Sequence, residues 1–215
     1  MQIVDIFSSI QGEGIYAGYK QIFIRFVGCN LSCTYCDENY EKSNYYELNA
    51  VLEKINSLNK IYNHSISITG GEPLLQVESL KKLIPELPLP VYLETNATLS
   101  GHLAEIKDFI DIFSLDFKAG YEKEFKNSIE LVKNEDTFVK YILEHKKSLA
   151  ILKKAVDIIH DTNKDIPLII QPITLHRHSI KQPNSNEIMA AYNMAKLKLN
   201  DVRVIPQMHR ILHLK

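Results

Sequence analysis

Three cysteines carry the strongest chemical signal in this chain of 215 residues: there are no others, and all lie between Cys29 and Cys36. Their spacing, Cys29-x3-Cys33-x2-Cys36 in GCNLSCTYCDE, puts three soft thiolate ligands on one short loop, a donor set suited to zinc or to an iron–sulfur cluster. An odd, tightly packed set makes a poor disulfide framework and points to a reducing, cytoplasmic compartment. A closed zinc site needs four ligands, and the next histidine, His64, stands 28 positions past Cys36. A three-cysteine zinc site completed by a distant histidine therefore stays open as an alternative. On a cubane cluster, three thiolates leave one iron without a protein ligand, and chemistry can occur at that open position. A second segment, Thr69-Gly70-Gly71-Glu72-Pro73, offers glycines for close backbone approach to a ligand and a carboxylate that accepts from an ammonium. Alone, it reads equally well as a turn.

The elements that must position these residues follow from periodicity. Strand-like runs cover Ile22–Val27, Ser65–Thr69, Val91–Glu94, Ile112–Leu115, Thr137–Ile142, Leu168–Gln171 and Val202–Ile205. Helical patterns between them fit Tyr46–Leu58, Val77–Ile84, Leu103–Phe109, Ser148–His160 and Asn186–Leu197, with Ser148 and Asn186 as candidate N-caps. Strands alternating with helices predict an α/β fold with a mainly parallel sheet, one or two units short of a full eightfold barrel. The expected architecture is an incomplete, open β/α barrel with about six core strands, in one domain spanning residues 1–215; a doubly wound sheet is the second choice. Active sites in such folds gather at the C-terminal ends of the strands. Here those ends carry the cysteine loop, the Thr69–Pro73 segment, Glu94-Thr95-Asn96, Asp116-Phe117-Lys118, Gln171-Pro172-Ile173-Thr174 and Pro206-Gln207-Met208-His209. Several such ends on one rim imply one shared pocket.

The CxxxCxxC loop after a first strand, with Tyr35 before the last cysteine and a GGE segment after the next strand, resembles the radical S-adenosylmethionine enzymes. A narrower resemblance, to the 7-carboxy-7-deazaguanine synthase family, runs in order along most of the chain. It rests on Ser9–Gly14 (SIQGEG), Phe23-Ile24-Arg25, Gly28–Leu31 (GCNL), TGGEPLLQ at 69–76, Glu94-Thr95-Asn96, SLDFK at 114–118, QPIT at 171–174 and VRVIPQMHR at 202–210. That resemblance implies an incomplete barrel of the radical S-adenosylmethionine type and a lyase that contracts the ring of 6-carboxy-5,6,7,8-tetrahydropterin to 7-carboxy-7-deazaguanine, with loss of ammonia, on the way to queuosine and related deazapurines. It implies a 4Fe-4S cluster on Cys29, Cys33 and Cys36, S-adenosyl-L-methionine and Mg2+. The methionine cofactor would be lined by Tyr35, Cys36, Asp37, Gly71, Glu72, Ser114, Asp116, Lys118 and Gln171, Pro172, Ile173 and Thr174. The pterin would be lined by Ile10, Gln11, Gly12, Glu13, Arg25, Thr69, Gln207 and His209. Within that set, the planar fork of Arg25 suits the pterin carboxylate, Glu13 accepts from the guanidine-like edge, and Gln11 both donates and accepts. A homodimer and an electron donor such as flavodoxin or ferredoxin are also implied.

Two departures from the family pattern stand out. Glu38 occupies the position where the family often has a Thr or Ser ligand to Mg2+; a carboxylate is also a suitable donor. Ala97 replaces a common glycine and is expected only to add a methyl to its loop.

Composition excludes the main competing classes. Apolar residues make up 45% and charged residues 24%, ordinary globular values, and the formal net charge is −1. No basic field points to nucleic acid, and no apolar run approaches the about 18–20 residues that span a bilayer. The N-terminal stretch MQIVDIFSSIQGEG lacks the basic and small-residue marks of a secretion signal. The remaining alternatives are an activating enzyme that makes a glycyl radical on a partner protein, and a zinc-binding structural module.

Overall fold

The computed structural model describes residues 1–36, 44–145, 149–174 and 181–214. Its strands are β1 (Gln2–Ile10), β2 (Lys20–Phe26), β3 (Asn44–Tyr45), β4 (Ser65–Gly70), β5 (Val91–Thr95), β6 (Ile112–Asp116), β7 (Asp136–Leu143), β8 (Leu168–Pro172) and β9 (Val202–Val204). Its helices are α1 (Leu48–Leu58), α2 (Val77–Leu83), α3 (Ser100–Ile106), α4 (Glu122–Val132), α5 (Leu149–Asn163), α6 (Ser185–Lys196) and α7 (Met208–Ile211). The sheet order is β3-β1-β2-β4-β5-β6-β7-β8-β9. From β2 to β9 every pairing is parallel, whereas β1 runs antiparallel to β2 and β3 antiparallel to β1. The parallel strands follow chain order without a reversal, so there is no switch point of the kind a doubly wound sheet requires. This is an open α/β barrel, and its edges, β3 and β9, do not pair.

Strand alternation sorts the interior into two packed layers. Leu93, Phe113, Val139 and Ile170 face the helices and join the large cluster that also buries Val51, Leu80, Leu103, Ile129 and Val156. Their neighbours Tyr92, Ile112, Phe138 and Ile169 point the other way and form a second cluster with Ile15, Tyr16 and Ile205. The β1–β2 connection thus enters the barrel from the strands' N-terminal side. Tyr16 meets Tyr92 edge-to-face at 5.8 Å. A side chain at Gly14, where φ is +67°, would collide with the Phe138 ring at 2.4 Å. This plug fills the barrel below the rim.

Sequence and structure differ at several elements. α6 is capped by Asn184, not Asn186: the Asn184 side chain accepts from the Glu187 N–H at 3.0 Å, while the Glu187 carboxylate accepts from the Asn184 N–H at 2.7 Å, a reciprocal cap. β1, β3, α4 and α7 appear in addition to the expected elements. The proposed cap Ser148 lies outside the described residues.

Candidate active site

A cavity opens at the C-terminal rim of the barrel, and all three cysteines line it. Each is a partly buried free thiol. The loop that carries them is held by backbone and amide groups. The Leu31 N–H donates to Cys29 Sγ at 3.4 Å, and the Cys36 N–H to the Cys33 carbonyl at 3.1 Å. Asn96, at the end of β5, donates from Nδ2 to Asn30 Oδ1 at 2.9 Å and approaches Cys29 Sγ at 3.8 Å. Thr98 closes this network by accepting from Asn30 and donating to Asn96 Oδ1. Burial pushes the Cys29 thiol up in the metal-free protein.

The Thr69–Pro73 segment works differently from its sequence expectation. Gly70 adopts φ +117°, and an added Cβ would sit 2.3 Å from the Phe26 carbonyl oxygen. Its close approach is to the backbone of β2. The Gly71 N–H donates to Phe26 O at 3.0 Å and the Glu72 N–H to Gly28 O at 2.8 Å, which fixes the start of the cysteine loop. Glu72 is fully buried and is not on the cavity wall. Its carboxylate accepts from the Leu74 N–H at 3.1 Å, the Thr95 hydroxyl at 2.8 Å and the Asn96 N–H at 2.7 Å. In this arrangement it braces β4 against β5, with three donors of the fold on its two oxygens. Burial pushes its pKa up to about 7 despite the three donors.

The substrate-side residues expected from sequence do converge: Ile10, Gln11, Gly12, Glu13, Arg25, Thr69, Gln207 and His209 all line the cavity. Arg25 lies over the Phe7 ring at 4.9 Å, and Phe7 stacks on Phe23 at 5.2 Å. Gln11 is committed within the fold. Its Nε2 donates to Gln21 Oε1 and Glu94 Oε1, both at 3.0 Å, while its Oε1 accepts from the Glu13 N–H at 3.0 Å. It therefore orients Glu13 and is not a free donor and acceptor. Burial raises the Glu13 carboxyl, but the Lys140 ammonium and the Gln207 amide outweigh it and hold the pKa down to about 2. The C-terminal segment reaches across the open side to this loop, with the Met208 N–H donating to the Gly12 carbonyl at 2.8 Å and Gln207 Nε2 to Glu13 Oε1 at 2.8 Å.

On the cofactor side, Tyr35, Asp116, Lys118, Gly71, Gln171 and Ile173 line the cavity. Lys118 Nζ stands 3.1 Å from Asp116 Oδ2 and 5.3 Å from the Tyr35 ring centre. Burial pushes the Tyr35 hydroxyl up to about 12. Among the described residues the wall does not include Ser114, Pro172 or Thr174, while Asp37 and Glu38 lie outside the described residues.

The radical SAM superfamily matches this sequence over residues 23–181. A 7-carboxy-7-deazaguanine synthase of Geobacter sulfurreducens is 32% identical over 98% of this chain and 96% of its own. One from Clostridium acetobutylicum is 34% identical over 98% of this chain and 95% of its own. The chain belongs to the 7-carboxy-7-deazaguanine synthase family of the radical SAM superfamily. Solved structures share the fold: QueE from Escherichia coli has a TM-score of 0.65 at 17% identity, covering 97% of this chain and 94% of that one. A radical SAM methyltransferase from Sphaerobacter thermophilus has a TM-score of 0.66 at 10% identity, covering 87% of this chain and 66% of that one.

Radical SAM enzymes carry a 4Fe-4S cluster and bind S-adenosylmethionine, and the donors present fit that cluster. Three free thiols from one loop face one cavity, with an N–H at Cys29 Sγ to neutralise thiolate charge.

Sequence reasoning left several wall residues without a role. Phe23, Leu31 and Ile142 supply apolar surface, and Glu94, Thr95 and Asn96 were visible only as a polar strand end. Lys140 was missed altogether. It sits in the apolar run Thr137–Ile142, and only the inward alternation with Phe138 and Ile142 would have picked it out.

Proposed function

We propose that this chain contracts the ring of 6-carboxy-5,6,7,8-tetrahydropterin to 7-carboxy-7-deazaguanine with release of ammonia, as a radical S-adenosylmethionine lyase of deazapurine (queuosine) biosynthesis. The observation that carries the reading is the meeting, in one cavity, of the cysteine loop with Glu13 and Arg25, in a chain that matches deazaguanine synthases over nearly its whole length. Cluster and S-adenosylmethionine together supply a 5′-deoxyadenosyl radical, which the protein must position and shield. Arg25, braced on Phe7, takes the pterin carboxylate through its planar fork. Glu13, ionised at neutral pH, accepts from the N–H groups of the guanidine-like edge. Asp116 and Lys118, paired beside Tyr35, and Gln171 contact the methionine cofactor. Gln171 Oε1 is buried on this wall with no hydrogen-bond partner among the described residues, as an acceptor waiting for a ligand donor would be. The plug below and the C-terminal clasp at the side keep bulk water from the reacting centre.

The same reading makes the whole chain one domain, cytoplasmic and homodimeric, served by flavodoxin or ferredoxin, with Mg2+ bound through Glu38. If Glu38 holds the ion, Glu38→Ala weakens the Mg2+ dependence of turnover and leaves cluster content intact; an unchanged metal response removes Glu38 from the site.

The reading is tested anaerobically. Reconstituted, reduced enzyme receives S-adenosylmethionine, Mg2+ and the carboxytetrahydropterin, and products are followed by mass spectrometry. Deazaguanine that disappears in Cys33→Ala supports it; deoxyadenosine without deazaguanine points to another substrate and overturns it.

A further inference from the structure

β7 aims Lys140 into the barrel between Phe138 and Ile142, and its side chain is only 4% exposed. Its ammonium stands 2.8 Å from Glu13 Oε2, 3.2 Å from Glu94 Oε2 and 3.4 Å from Asp116 Oδ1. Each carboxylate is held by a different partner at its second oxygen. Glu13 Oε1 accepts from Gln207 at 2.8 Å, Glu94 Oε1 from Gln11 at 3.0 Å, and Asp116 Oδ2 from Lys118 at 3.1 Å. One compact cation with three N–H directions thus joins three acids delivered by the plug loop, β5 and β6. Glu13 and its partners belong to the substrate side, Asp116 and Lys118 to the cofactor side. Without the ammonium, three neighbouring and partly buried carboxylates would repel one another.

We propose that Lys140 is a positioning residue that fixes the Glu13 and Asp116 carboxylates, so that the substrate and cofactor halves of the cavity are set in register before either ligand binds. The names of the two ligands rest on the function proposed above; the hub itself does not. The charged and titratable groups around Glu13 are Lys140 from β7, Glu94 and the Tyr92 hydroxyl from β5, Asp116 from β6, and His209 from α7, with Arg25 of β2 on the same cavity wall. Among them Lys140 exerts the strongest pull toward the ionised form of Glu13.

Two readouts on the full chain test this. In ligand-free protein, an infrared titration follows the protonated-carboxyl band. Wild type keeps Glu13 ionised through the mildly acidic range. Lys140→Met gains a carboxyl titrating above the ordinary range, and the added change Glu13→Gln removes that band. In turnover, the KM for the pterin is flat with pH in wild type. In Lys140→Met it rises at least about tenfold at mildly acidic pH and recovers toward higher pH, because binding now needs a deprotonation. Lys140→Arg restores the flat profile in part. If Lys140→Met fails to fold, the double variant Lys140→Met/Glu94→Gln, which removes one charge of each sign, takes its place. A folded variant without the new band, or with a wild-type KM profile, overturns the proposal. If wild type turns over no pterin, the function proposed above fails and the infrared readout alone decides Lys140.

Discussion

At the scale of single residues, Ala97 shows how a change that looks minor in sequence costs backbone energy. It was expected only to add a methyl. In the structure it sits at φ +57°, fully buried, with its N–H on Thr95 Oγ1 at 3.1 Å and its carbonyl accepting from Ser128 at 2.9 Å. Left-handed backbone disfavours a side chain. Ala97→Gly should therefore stabilise the protein by about 0.5–1 kcal/mol, read as a shift of the urea midpoint with unchanged m-value. Two glutamates, Glu72 buried and Glu13 partly buried, have opposite acid–base effects. Burial raises Glu13, but Lys140 lowers it further, to about 2. Its contribution to stability is complete above the usual carboxylate value of 4.5 and is lost as pH falls toward about 2. Burial raises Glu72 to about 7, so its ionisation costs stability as pH climbs from 4.5 to about 7. In Glu13→Gln, cluster-free protein should lose the first dependence and keep the second, which a series of urea midpoints across pH would show.

Among elements, the two backbone clasps carry the site. Gly70→Ala would press a Cβ to 2.3 Å from the Phe26 carbonyl at φ +117°, displacing the β4 end from the cysteine loop. The expected result is loss of most bound iron and sulfide after reconstitution. Gly12→Ala would bring a Cβ to 2.3 Å from His209 Nδ1 and 2.7 Å from its backbone nitrogen. That should push α7 away from Glu13 and raise the pterin KM about tenfold, as expected for a lost buried polar contact, with iron content unchanged. The sequence showed these elements unevenly. Parallel strands buried on both faces stand out as short apolar or β-branched runs, as Leu-Ile-Ile does in β8 and Ile-Phe in β6. β1 does not, because Asp5, Ser8 and Ser9 interrupt it near the edge of the sheet. α4 buries only Phe125, Ser128, Ile129 and Val132 beneath a charged surface, too narrow an apolar stripe to stand out. The cysteine loop was legible because its chemistry is local in sequence. Glu72's bracing role and the Lys140 hub were not, since both depend on partners brought in from other strands.

Across the whole molecule, an open barrel of parallel strands gathers its catalytic loops at one rim and closes its interior with two pieces of its own chain. The plug from β1–β2 supplies the floor, and the Gln207–His209 segment bridges the side where β9 and β3 leave the sheet open. This division brings the cysteine loop and the charged residues Glu13, Arg25 and Lys140 onto the walls of one chamber. The central claim is that the chamber converts one pterin to one deazaguanine by expelling one amine nitrogen, with no net oxidation or reduction of substrate. It is tested most directly by measuring ammonia and 7-carboxy-7-deazaguanine together in one anaerobic reaction of the cluster-loaded enzyme. Equal amounts of the two, rising together as the pterin disappears, are predicted. Consumption of S-adenosylmethionine to 5′-deoxyadenosine with neither product formed would contradict the account.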